Sequence, residues 1–205
     1  MTTELKPLSV EFSQSAVMRK VKESTATAHS FFEENLEKLC SLAVVMATAF
    51  NQDRRLFVIG NGGSACDAEH VSVEFMHPIF EKRRALPCIC LSSQPALLTA
   101  VANDIDFSAV YSVPLRQLAK PGDMVLAIST SGMSPNLVRA LQEAKDNGLI
   151  TIGFNGKDGG RLKSVTQWSF IVPSYSIHRI QETHVMLLHI LWDLVHLNLG
   201  EEDIV

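Results

Sequence analysis

The sequence predicts an α/β fold built on a parallel sheet, and three observations lead there. Short apolar segments alternate with helical ones along most of the chain. The strand segments are rich in Val, Ile, Leu and Cys, with little polar alternation, as strands buried on both faces are. Glycine- and hydroxyl-rich loops then follow two of these strands, where open parallel sheets place their ligands.

The elements follow in order. Two helices open the chain, roughly Ser9 to Glu23 and Ala26 to Phe50, the second with Phe31, Leu36, Leu39, Ala43 and Ala47 at helical spacing. Strands are expected at Leu56–Ile59, Ala85–Leu91, Met124–Ile128, Ile150–Phe154 and Trp168–Ile171. Helices are expected at Ser64–Phe80, Gln94–Asn103, Phe107–Ala119, Asn136–Asp146 and His178–Leu199. No repeat, low-complexity tract or interdomain linker interrupts them, so the chain reads as one domain over 1–205, with a helical extension (1–52) before an α/β core (53–205).

Composition narrows the function classes. A chain of 205 residues, 46% hydrophobic, is long enough for one well-buried core. A net charge of -4 without a sustained Lys/Arg block gives no footprint for broad nucleic-acid binding. No apolar stretch approaches the roughly 20 residues that span a bilayer, and the N-terminus lacks a signal-peptide core, so a cytoplasmic location is expected. Cys40, Cys66, Cys88 and Cys90 lack paired metal spacing and disulfide density and read as reduced thiols. Cys88 and Cys90 would share one strand face, and Cys66 is expected as a small buried packing residue.

The densest chemistry lies in Phe57-Val-Ile-Gly-Asn-Gly-Gly-Ser-Ala-Cys-Asp-Ala-Glu-His70, followed by Glu74. A strand that breaks into Gly60, Gly62 and Gly63 brings backbone N–H groups close to a ligand, Ser64 is placed to cap the next helix, and the helix N-terminus favours an anion. It has neither the P-loop lysine nor the dinucleotide G-x-G-x-x-G spacing. A second loop, Ser129-Thr-Ser-Gly-Met-Ser134, offers four hydroxyls before a helix, a neutral cradle for a phosphate monoester; a turn with a Ser cap explains one or two of them, not four. His70 and Glu74, four apart, have Cβ atoms about 5–6 Å apart on one helix face and can share one ligand or proton; an ordinary surface pair is the alternative. Gln181 and His189 lie eight apart, about 12 Å along a straight helix, so either the helix start is deformed or a neighbouring chain supplies one of them, the second being favoured. His184 reads as a packing histidine.

Taken together, Gly60-Asn-Gly-Gly-Ser-Ala-Cys-Asp-Ala-Glu-His70, Ala102-Asn-Asp104, Ile128-Ser-Thr-Ser-Gly-Met-Ser134, Gly156-Lys-Asp-Gly-Gly160 and Arg179-Ile-Gln-Glu-Thr-His184 resemble the sugar isomerase (SIS) family, specifically its bacterial phosphoheptose isomerases, over nearly the whole chain. The resemblance implies a flavodoxin-like three-layer α/β/α fold with a central parallel five-stranded sheet, and N-terminal helices used in oligomerisation. It implies a homotetramer, with sites at subunit interfaces, that converts sedoheptulose 7-phosphate to D-glycero-D-manno-heptose 7-phosphate on the route to lipopolysaccharide. The family's zinc ligands, one ion per subunit, fall on His70, Glu74, Gln181 and His189, and its acid–base pair on Glu74 and His189. Its substrate-binding positions fall on Asn61, Gly62, Ser64, Asp104, Ser129, Thr130, Ser131, Ser134 and Gln181. His178 stands where the heptose isomerases tend to carry an Asp. The same family holds a non-enzymatic adaptor of the replication initiator DnaA, and isomerases of other phosphosugars; retention of Glu74 and His189 favours the enzyme.

Overall fold

The computed structural model describes residues 9–79 and 83–203. It contains α1 (Val10–Asn51), β1 (Leu56–Gly60), α2 (Gly63–Met76), β2 (Cys88–Cys90), α3 (Pro95–Asp104), α4 (Ser112–Leu118), β3 (Met124–Ser129), α5 (Pro135–Asp146), β4 (Ile150–Gly156), α6 (Leu162–Val165), β5 (Trp168–Val172) and α7 (Ile177–Asn198). All five strands are parallel, in the order β2-β1-β3-β4-β5. This is the flavodoxin-like order, whose direction reverses between β1 and β3.

Strand periodicity divides the core in two. Leu56, Val58, Leu126, Ile128, Phe154 and Val172 face α1, α2 and α7, whereas Phe57, Ile59, Val125 and Ala127 face the layer carrying α3 to α6. Cys88 and Cys90 bury together on the first face, as their alternation requires.

Four sequence expectations change. The two opening helices are one, because Ser24-Thr25 contains no breaker: Thr25 Oγ1 donates back to the carbonyls of Val21 and Lys22, and Ser24 Oγ donates to Glu182. β2 is shorter than Ala85–Leu91 because Leu86 N donates to Phe75 O at the end of α2, and Leu91 opens a 3-10 turn. The helix expected over Phe107–Ala119 splits into a 3-10 turn, Phe107–Ala109, and α4. Pro114 has no N–H and fits only the first turn of a helix, so α4 cannot begin as early as Phe107. α2 ends at Met76; Phe80, its expected end, lies outside the described residues. The short α6 had no clear sequence signal.

Edge strand β5 is guarded by α1. Lys38 Nζ donates to Ser169 O and lies 4.9 Å from the centre of the Phe170 ring, placing a cation where another strand would pair. The buried setting lowers the lysine's pKa.

Candidate active site

The switch point between β1 and β3 brings the two ligand-type loops side by side. Asn61, directly after β1, exchanges two amide hydrogen bonds with Asn136, the second residue of α5, at 3.0 and 2.9 Å. Tyr111 Oη donates to Gly60 O, and Ser92 Oγ accepts from Gly60 N (3.1 Å) while donating to Gly60 O (3.0 Å). Burial raises the Tyr111 pKa, keeping the phenol a donor. The Asn61 side chain therefore ties the loops to each other. Nothing local in the sequence marks residues as distant as Asn136, Tyr111 and Ser92 as partners of Gly60 and Asn61.

Ser64 does not cap α2. The cap position is Gly62, and Ser64 is buried one residue inside the helix. Two first-turn amides are already used: Ser64 N donates to Asn61 O (3.1 Å) and Ala65 N to Gly62 O (2.9 Å). Gly63 is the point of closest approach to α7, since a Cβ there would lie 2.5 Å from Gln181 Nε2.

In the second loop, Ser129 Oγ accepts from Gly132 N (3.1 Å) and Ser131 Oγ from Met133 N (3.2 Å). Each hydroxyl keeps its hydrogen to donate. Ser134 occupies the cap position of α5 but makes no side-chain cap bond, and Pro135 follows as the first helical residue. Gly132 has φ +63, and a Cβ would sit 2.0 Å from Gly159 O. The Gly156–Gly160 segment thus backs the hydroxyl loop, and Leu162 N reaches Gly132 O at 2.9 Å.

The third component lies where α2 meets α7. His70 Nε2 is 3.2 Å from Glu74 Oε1 and 3.3 Å from His189 Nε2, and the imidazole centres are 4.9 Å apart. Two imidazole nitrogens and a carboxylate oxygen lie within 4.8 Å of one another, with His70 and Glu74 half-buried and His189 more open. Desolvation lowers the His189 pKa, the neighbouring His70 adds to this, and Glu74 opposes it. A neutral His189 is thereby favoured, with a lone pair for a metal or a proton. Asp67, one turn before His70, has a buried Oδ2 with no hydrogen-bond partner, and burial raises its pKa.

Other sequence candidates lie apart. Gln181 packs at Gly63, roughly 10 Å along α2 from His70 at a rise of about 1.5 Å per residue. Within one chain the His70–Glu74–His189 group forms without it. Asp104 ends α3 as an exposed residue whose carboxylate accepts from Asn103 Nδ2 at 2.7 Å. His184 is fully buried, with Nε2 3.1 Å from Asn155 O, and desolvation lowers its pKa to about 4, in keeping with a packing role. Cys66 is exposed rather than buried, because its position on α2 turns away from the sheet.

Comparison with known proteins agrees with this architecture. The SIS domain family matches residues 21–156. The phosphoheptose isomerase of Thermodesulfovibrio yellowstonii is 40% identical over 179 residues, covering 87% of this chain and 89% of the relative. That of Aquifex aeolicus is 38% identical, covering 87% and 94%. Among solved structures, the phosphoheptose isomerase of Neisseria gonorrhoeae superposes with a TM-score of 0.83 at 30% identity, covering 89% of this chain and 97% of the other. The one from Francisella tularensis gives 0.86 at 28% identity, covering 90% and 98%. With an SIS match over more than half its length and relatives of this identity across most of the rest, the chain belongs to the SIS domain family, among its phosphoheptose isomerases.

Proposed function

We propose that the chain is an aldose–ketose isomerase that converts sedoheptulose 7-phosphate to D-glycero-D-manno-heptose 7-phosphate. The observation that carries the reading is the convergence of His70, Glu74 and His189 between α2 and α7, on a sheet whose order reverses between β1 and β3.

Moving the carbonyl from C2 to C1 requires three events. A proton leaves C1, the hydroxyl proton passes from O1 to O2 across an enediolate, and a proton returns to C2. Glu74 is the base at carbon: one oxygen faces His70, and the other takes no hydrogen bond among the described residues. His189, held neutral, moves the proton between oxygens. The Ser129, Thr130, Ser131 and Ser134 hydroxyls, with the α5 N-terminus, bind the phosphate. Asn61, Gly62, Ser64 and Asp104 contribute to the sugar and phosphate subsites, with Asn61 acting from its Asn136 tie.

The donor set also fits zinc, because two imidazoles and a carboxylate leave a fourth position open. When bound, zinc would supply Lewis-acid stabilisation of negative charge on the substrate oxygens. His70, Glu74 and His189 would hold the ion, and Gln181 would complete the set from a neighbouring subunit. A homotetramer with shared sites accords with the apolar side chains left exposed on α1 (Val10, Phe12, Val17, Met18, Val21) and on α7 (Met186, Ile190). No helix among the described residues is long and apolar enough to cross a membrane.

The test is proton NMR of the purified protein with sedoheptulose 7-phosphate in deuterium oxide, with and without a chelator. The expected result is an aldose carrying deuterium at C2, lost when metal is removed. No aldose from folded protein would overturn the substrate assignment, and turnover indifferent to the chelator would remove the metal from it.

A further inference from the structure

His70 and Glu74 share one helix, so their spacing is set by helix geometry. Their distance to His189 depends instead on how α2 sits against α7. Among the described residues, two hydrogen bonds join these helices: the His70–His189 contact itself, and Trp192 Nε1–H donating to Glu74 O at 2.8 Å. The second is therefore the one pin outside the cluster.

Its placement is informative. Glu74 O is one of the last four carbonyls of α2, which have no partner within the helix. Val73 O receives His77 N (2.8 Å), Phe75 O receives Leu86 N (2.7 Å), and Glu74 O is left to the indole. Trp192 lies three residues after His189, on the same helix face. The ring is itself gripped: the Arg83 guanidinium lies 4.5 Å from its centre and the His196 ring 4.8 Å away. Arg83, buried, is fixed by Asp193 (2.6 Å) and by Glu202 O (3.1 Å), and His196 by Glu201 (2.8 Å).

We propose that Trp192 is a positioning residue for the His70–Glu74–His189 cluster, its indole N–H holding the last turn of α2 in register with α7. The inference rests on the metal reading above. It extends the site to a clamp formed by Arg83, Asp193 and the segment after α7.

Trp192→Phe keeps an aromatic ring and removes the N–H. Its zinc affinity, measured by competition with a chromophoric chelator, should weaken by about tenfold or more, the range for lost support behind a metal ligand. Turnover should fall while KM for the sugar phosphate stays within about twofold, because the β1 and β3 loops are untouched. If the Phe variant does not fold, placing 3-benzothienylalanine at position 192 replaces only N–H by sulfur and gives the same readouts. A folded variant that keeps wild-type zinc affinity and kcat, even with a lowered Tm, would overturn the proposal and leave Trp192 a packing residue. Wild-type protein that takes up no zinc would overturn the metal reading alone; turnover then decides the clamp, and an unchanged kcat in the variant overturns it.

Discussion

The hydroxyl loop Ser129–Ser134 draws its donors from six consecutive residues, whereas the histidine–carboxylate cluster joins His70 and Glu74 to His189, 119 residues after His70. The loop is stiffened from within, by Ser129 and Ser131 accepting from its own backbone, and from behind by Gly159. The cluster is supported instead from across the helix pair, through Trp192 Nε1–H on Glu74 O. Its geometry is the sum of two helices' positions, so it depends on packing across the whole α1, α2 and α7 layer. A loop of consecutive hydroxyls can thus be built locally, while a cluster drawn from two helices inherits any shift of the fold that carries it.

The largest expected effect separates the two regions outright. Glu74→Gln should lower kcat by about 10²–10⁴-fold, the usual worth of a positioned acid or base, and leave the affinity for inorganic phosphate as a competitive inhibitor unchanged. A parallel loss of phosphate affinity would mean that loop and cluster are one coupled unit.

Next comes pH, which acts on His184, a buried histidine of α7 outside both regions. The folded-state pKa of His184 lies near 4, below its ordinary 6.5. Between those values the unfolded chain binds the extra proton, so stability rises with pH. The contribution is complete above about pH 6.5 and is lost as pH falls toward 4, amounting to roughly 3 kcal/mol at about 1.4 kcal/mol per unit. Urea unfolding from pH 7 to pH 4 should show it, and His184→Gln should flatten this part of the profile. An unchanged slope in that variant would move the acid sensitivity elsewhere.

Asn136→Ala probes the seam between the β1 and β3 loops. It removes both amide bonds to Asn61, leaving Asn61 Oδ1 only Tyr111 Oη at 3.3 Å, and should cost about 2 kcal/mol in chemical denaturation, with a higher KM. If KM does not move, the loops hold their places without the Asn61–Asn136 exchange. The smallest effect is expected from Ser134→Ala, whose hydroxyl makes no cap bond in the protein itself. KM should rise about tenfold, as for one hydrogen bond to a charged group, with kcat and Tm unchanged. A fall in Tm instead would make Ser134 structural.

Much of this was legible residue by residue. Short apolar runs without polar alternation located all five strands, as burial on both faces requires, and the 3.6-residue period located the main helices. The loops announced themselves through Gly60–Ser64 and Ser129–Ser134, since a tight turn after a strand needs small residues and a donor loop needs hydroxyls in sequence. Helix ends were less legible: α1 runs straight through Ser24-Thr25, and α4 starts late, at Ser112, with Pro114 in its first turn. Cys66 showed the limit on burial, because the outward face of α2 is defined only by what packs on its other side.

The sequence by itself determined the α/β class, the two glycine- and hydroxyl-rich loops and the His70–Glu74 pair, all properties of neighbours along a strand, turn or helix. Only the tertiary structure decided that His189 joins that pair, that Gln181 in the same chain lies at Gly63 instead, and that Asn61 is held by Asn136. It also decided that Trp192 pins the carbonyl of Glu74. The reason is physical: local spacing fixes which side chains share a face, but the distance between faces is set by how deeply helices pack on a common sheet. That depth belongs to the whole core and to no single stretch of chain.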